Sequence, residues 1–422
     1  MLFLLFFLSG AAALVYEVAW TRSLGLVFGA SHLAVTTVLA VYMGGQALGS
    51  ALLGERSDRT GRPLRLYGLL EIGVGLSAVV FVGLMKIYPH LYGPLARVAE
   101  GNGLYLTFLR VAFAVVATLV PTTLMGGTLP TLARFAVGRR EGGLARQLSF
   151  LYAFNTLGAV AGSLAAGFVL LRALGVTSSL LVAAAVSVAV GVASVALQRR
   201  AGTLLPAAAA PPAAVAPHAG DAAASELSAR LTLLGIGVSG FCALGYEVLF
   251  TRMLTLVVGT SVYSFTIMLV AFLTGIGLGS HAVGLLQRRR AGAGGRTSVL
   301  VFAGTQVAIG LSALAVTILM RGLPGVADRL QTSLAGLHAG AFGVRLIASF
   351  VLAFACMVVP AFFMGMAFPI AGAVASAGRA AVGGAVGRLL TVNTFGAILG
   401  SVVSGFFLIY VLGVERSLQV LV

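Results

Sequence analysis

Long apolar runs set the rhythm of this chain. Spans of about 20 residues, bounded by Gly, Pro or Arg, fall near 2–26, 32–53, 66–86, 104–126, 147–171 and 177–198. A second set falls near 231–256, 262–286, 298–320, 345–368 and 387–412. About 20 helical residues rise some 30 Å, the thickness of a bilayer's hydrocarbon core. Each run therefore predicts a membrane-spanning helix, whereas a spanning barrel would show short alternating strands. Between the sets, at 201–229, PAAAAPPAAVAP cannot pack a core and reads as a cytoplasmic linker. The predicted organisation is a six-helix bundle over 1–200 and a second bundle over 230–422, with five helices and the start of a sixth.

The two sets are copies. SGAAALVYEVAWTRSLGLVFG, from Ser9 to Gly29, matches SGFCALGYEVLFTRMLTLVVG, from Ser239 to Gly259, at 13 of 21 positions. The match continues through Pro121, Met125, Gly126 and Pro130 onto Pro360, Met364, Gly365 and Pro369, and through Asn155, Gly158 and Gly162 onto Asn393, Gly396 and Gly400. The same helices recur in the same order after six spans, an even number. This predicts a parallel repeat about an axis along the membrane normal. The repeat also places MLFLLFFLSGAAAL as a first spanning helix, not a signal peptide, since its counterpart lies inside the chain. After Gly175 the first copy runs 23 residues to Gln198; after Gly413 the second runs nine, to Val422. The twelfth helix is expected to be cut short and the chain to be a fragment.

Composition supports a membrane protein: 59% hydrophobic, 9% charged, mean hydropathy +1.06. The net charge of +16 invites nucleic acid as a partner. The basic residues instead cluster in short loops between spans, which excludes that class. With the N-terminus in the cytoplasm, seventeen Lys and Arg residues fall inside and six outside. This orientation follows the positive-inside rule and fits a multi-pass protein of a bacterial inner membrane. Cys242 and Cys356 read as packing thiols, and no spacing of His or Cys suggests a metal. GIGVSG, from Gly235 to Gly240, imitates a dinucleotide-binding loop but follows no strand, so no cofactor is expected.

The loop GERSDRTGRPLRL, from Gly54 to Leu66, resembles the major facilitator signature G-x-x-x-D-R-x-G-R-R at the same point of the topology. The matching residues are Asp58, Arg59, Gly61 and Arg62, while Pro63 replaces the second basic residue. The resemblance implies a cytoplasmic latch between loop and helix ends; the bland alternative is an ordinary positive-inside loop. More narrowly, SGAAALVYEVAWTR, MGGTLP and NTLGAVAGS resemble the membrane portion of bacterial fused facilitator/spermidine synthase-like proteins. That implies an all-α, major facilitator-like chain anchoring, and possibly transporting for, an aminopropyltransferase-like soluble domain absent here.

Charge inside a bilayer is costly and marks either function or a structural lock. The intramembrane candidates are Glu17, Arg22, Glu71, Arg110, Glu247, Arg252 and Arg345. In a facilitator fold, helices 1, 4, 7 and 10 line the central cavity, which sets Glu17 opposite Glu247 with Arg110 and Arg345 nearby. Tyr16, Trp20 and Tyr246 would offer aromatic faces to a protonated amine, and Asn155 and Asn393 would add cavity or interhelical hydrogen bonds. The alternative is a pair of locks, Glu17 to Arg110 and Glu247 to Arg345. Glu71 ranks lower because its counterpart, Gln306, is neutral. Three functions remain open: the membrane region of a fused enzyme, a stand-alone transporter of a small cationic or amine solute, and a non-transporting scaffold.

Overall fold

The computed structural model describes residues 1–28, 32–98, 102–138, 144–201, 219–259, 262–289, 295–336, 340–375 and 381–422. Arg139, Arg140, Arg290 and Arg379 of the basic loops, and most of the predicted linker, lie outside them. The first half comprises α1 (Leu2–Phe28), α2 (His32–Arg59), α3 (Pro63–Val98), α4 (Gly103–Gly126), α5 (Thr128–Val137), α6 (Leu144–Leu164), α7 (Leu171–Ala173) and α8 (Gly175–Ala201). The second comprises α9 (Ala219–Val258), α10 (Val262–Arg289), α11 (Gly295–Met320), α12 (Leu323–Leu334), α13 (Gly340–Ala375), α14 (Val382–Val402) and α15 (Ile409–Leu421). Ten of the described helical segments are long and apolar enough to cross a membrane. The helix α9 begins at Ala219, ten residues inside the stretch expected as linker.

The duplication is visible in the packing. Small residues let backbones approach closely, which is how helices gain dispersion energy when lipid and core are equally apolar. Gly158 lies against the Phe7 carbonyl and Gly396 against that of Gly237; Gly162 meets Ala11 and Gly400 meets Phe241. Each second-half pair is the counterpart of the first. Both halves also insert a π-helical turn at equivalent places, Ala165–Leu170 and Val403–Leu408. Each turn is followed by a glycine at positive φ, Gly175 at 74° and Gly413 at 73°. A side chain there would meet its own backbone, so glycine ends one helix and starts the next.

Pro121 and Pro360 both sit inside helices, but the second proline of each copy acts differently. Pro130 has no N–H to give the Gly126 carbonyl, and the helix breaks at Gly127 between α4 and α5. Pro360 and Pro369 instead sit inside one continuous helix, α13.

The halves meet along two seams, α2 against α14 and α6 against α10. The Ser50 and Thr391 hydroxyls are 2.9 Å apart across the first seam, and Ser280 Oγ donates to the Ser149 carbonyl at 3.0 Å across the second. One apolar core, with Phe6, Tyr67, Leu132, Leu148, Phe302, Phe368 and Leu389, draws on both halves at the end carrying the 54–66 loop. Towards the other end the core divides. Tyr16, Trp20 and Phe81 belong to a first-half cluster, and Tyr246, Phe250 and Met357 to a second-half cluster. Outward, Leu76, Val80, Phe108, Val116, Leu311 and Leu319 are exposed, an apolar belt suited to lipid.

Candidate functional site

Glu17 on α1 and Glu247 on α9 occupy the same position of the repeat, and both are half-buried. Their carboxyl groups are close enough for the charge of Glu17 to be felt at Glu247. The Tyr42 hydroxyl of α2 lies within hydrogen-bonding reach of both Glu17 and Gln46. The two acids thus hold equivalent places in the two halves, on helices whose neighbouring aromatics belong to the separate first-half and second-half clusters.

The expected arginine partners lie elsewhere. Arg110 Nε donates to the Tyr92 hydroxyl at 3.0 Å, and its guanidinium lies 5.5 Å from the centre of that ring. This anchors α4 to the far part of α3. Arg345 is exposed on α13. Ion pairs among the described residues join Arg59 to Glu55, Arg134 to Asp58 and Arg321 to Glu415. Neither predicted lock is among them.

The aromatic residues also point away from the acids. Successive helix positions are about 100° apart, so a face holding Tyr16 and Trp20 leaves Glu17 on another. Tyr16 stacks on Trp20 with ring centres 5.3 Å apart, and Trp20 packs on Tyr42 and Phe81 inside the first bundle. Tyr246 is fully buried, stacks on Phe250 and donates to the Leu421 carbonyl at 2.6 Å. Tyr16 and Trp20, expected as aromatic faces beside the carboxylates, thus pack in the first-half core, and Tyr246 in the second-half core. Arg22 and Arg252 are exposed.

A second polar group lies within the first bundle. Ser9 Oγ donates to Glu71 Oε1 at 2.5 Å, and Glu71 is only 2% exposed. Beside them is a cavity of about 110 Å³, lined in part by Tyr16, Gln46, Thr128, Asn155 and Ser187. Asn155 Nδ2 donates to the Phe6 carbonyl at 3.2 Å. Its counterpart Asn393 packs on Gly240, as Asn155 packs on Gly10. Glu71, ranked low from the sequence, thus sits at a built polar site with Ser9, Gln46 and Ser187, which the sequence reading did not select.

At the closed end, Asp58 receives the Gly383 N–H on Oδ1 at 2.8 Å and the Gly384 N–H on Oδ2 at 2.6 Å. These are free donors in the first turn of α14, where the helix dipole favours an anion. Arg134 of α5 supports the carboxylate, with Nε 3.6 Å from Oδ1. Asp58 therefore joins the two halves. Of the other signature residues, Arg59 pairs with Glu55 in solvent, Arg62 is exposed, and Gly61 turns the chain beside it. Arg134, outside the signature, takes the supporting place.

No protein-family model matches the sequence, and no curated protein is significantly similar to it. Solved structures do match. A bacterial homologue of the iron transporter ferroportin, in an outward-facing state, aligns with a TM-score of 0.56 at 14% identity, over 100% of this chain and 97% of that one. The proton:xylose symporter XylE, bound to 6-bromo-6-deoxy-D-glucose, aligns with a TM-score of 0.52 at 14% identity, over 100% and 92%. The resemblance to fused spermidine synthases gains no support from these matches. Identity at this level speaks for architecture alone, and the chain has an all-helical, major facilitator-like membrane fold built from two parallel repeats.

Proposed function

We propose that the chain is a secondary transporter of a small cationic solute, a protonated amine or another monovalent cation, bound between Glu17 and Glu247. What supports this reading is the presence of a carboxylate at the same place of each repeat, Glu17 and Glu247, near enough to sense each other's charge, with Arg110 held by Tyr92 and Arg345 exposed. Two such acids at mid-membrane are stable only with protons or a cation between them. A solute taken there would be released when the bundles rock and the α2–α14 seam opens. On this reading the latch end is cytoplasmic, in keeping with its basic loops, and the protein resides in a bacterial inner membrane. The finer resemblance, to the membrane portion of fused spermidine synthases, would add a soluble enzyme after this region and rests on sequence motifs alone.

Binding to the purified chain tests this. Labelled methylamine, putrescine and spermidine are offered to wild type, Glu17→Gln, Glu247→Gln and the double variant in a scintillation proximity assay. At least one amine is expected to bind saturably, with each single variant about tenfold weaker, the effect of losing about 1.4 kcal/mol. Equal binding by the double variant, or no saturable binding of any of the three, contradicts the proposal.

A further inference from the structure

The first bundle holds chemistry that the second lacks. The repeat register sets Tyr42 against Phe272, Gln46 against Ile276, Glu71 against Gln306 and Thr128 against Ala367. Four polar positions in one half thus have apolar or neutral counterparts in the other. In the fold, Gln46, Glu71 and Thr128 line one cavity, and Tyr42 links Gln46 to Glu17. Ser9 and Asn155 recur as Ser239 and Asn393, but the carboxylate of Glu71 and the side chains of Gln46 and Thr128 belong to one copy alone, so the duplicated scaffold does not require them.

From this juxtaposition we propose that the cavity beside Glu71, lined by the first bundle and closed on one side by Leu390 of α14, is a sodium-sized cation site separate from the Glu17 and Glu247 carboxylates. Glu71 is almost fully buried, and no Lys or Arg lines the cavity to balance it. An ionised carboxylate in that setting needs a counter-charge. Ser9 already gives its hydroxyl proton to Oε1, at a distance typical of a hydrogen bond to a charged acceptor.

The other liners present oxygen, the ligand a small hard cation prefers. Thr128 spends its hydroxyl proton on the Met125 carbonyl at 2.7 Å, which leaves its oxygen lone pairs available. The Asn155 nitrogen is committed to Phe6, so Oδ1 remains as acceptor. Ser187 accepts from Tyr16 at 3.3 Å and lies within reach of Glu71. A space of about 110 Å³ admits one such ion and a water or two. One carboxylate with neutral oxygens suits a monovalent ion; among the described residues no group of three His, Cys, Asp or Glu could hold a transition metal.

The test is ²²Na⁺ binding to the full purified chain in nanodiscs, with no amine present. Loss of amine binding with intact ²²Na⁺ binding would then count against the transport proposal alone. Saturable binding, displaced by unlabelled NaCl but not by choline chloride, is expected. Glu71→Gln should weaken it at least tenfold and Ser9→Ala severalfold. The second half carries glutamine at this position, so Glu71→Gln is compatible with the fold, and Ser9→Ala gives an independent arm should that variant misfold. In parallel, NaCl should raise the Tm of wild type but not of Glu71→Gln at equal ionic strength. Absence of saturable ²²Na⁺ binding, unchanged binding in both variants, or a Tm that follows pH but not Na⁺ would overturn the proposal; the last would assign a proton to the site.

Discussion

Asp58 shows how much one side chain can do when it meets a helix end. Its two oxygens each accept a backbone N–H of α14, so a residue of the first half holds the second. Charge-assisted bonds of this kind contribute about 1.5–3 kcal/mol each. Asp58→Asn keeps the shape but loses the charge and one acceptor. A cysteine at Ser50, fully buried at the same seam, reports the result: its alkylation rate should rise about tenfold or more when Asp58→Asn is added. Arg134→Gln should raise it less, since the two bonds from the Gly383 and Gly384 N–H groups to Asp58 remain.

At this scale the sequence was informative where the copies agree and silent where they differ. Glu17 and Glu247 stand out in the sequence because a charge repeated in apolar sequence is conspicuous. Tyr16 and Trp20 pack into the first-half core because residues adjacent to Glu17 in sequence face another side of the helix. Gln46 and Thr128 were missed because matching the copies rewards identity, and these positions carry their meaning in the mismatch.

Elements owe their contacts to residues that are scarcely there. A methyl group at Gly162 would run into the Ala11 carbonyl, and one at Gly400 into that of Phe241. Gly162→Ala and Gly400→Ala should each destabilise the protein by about 1–3 kcal/mol, read as a lower Tm. Gly304→Ala is the control: a methyl there meets nothing within 4 Å. It should be neutral or slightly stabilising, because alanine favours a helix by roughly 0.5–1 kcal/mol over glycine. Span positions were readable because a 20-residue apolar run has one solution in lipid. Helix ends were less so. The helix α3 continues through Pro89 and Pro94 to Val98, well past the apolar run that predicts it, since backbone hydrogen bonding does not end where the hydrophobic stretch does. The paired π-turns have no composition signal at all.

For the whole molecule, the decisive property is the asymmetry of its core along the membrane normal. One apolar cluster unites the bundles at the Asp58 end, and each bundle keeps its own cluster at the other. The sequence established two copies and their parallel order, because a duplicated pattern survives divergence. It could not give the conformational state, which depends on contacts between residues more than 300 positions apart, such as Asp58 with Gly383 and Gly384. On the proposed reading, the end where one core unites the bundles is the end that opens in turn.

The most direct test is amine uptake into proteoliposomes by a chain that can be locked. Ser50 and Thr391 face each other across the seam, so Ser50→Cys/Thr391→Cys should form a disulfide on oxidation. The reduced variant is expected to accumulate labelled amine as wild type does, the oxidised one to stop, and reduction to restore uptake. The same assay should find Glu17→Gln/Glu247→Gln inactive with the seam free. Uptake that continues through the locked seam, or that survives loss of both carboxylates, would contradict the account.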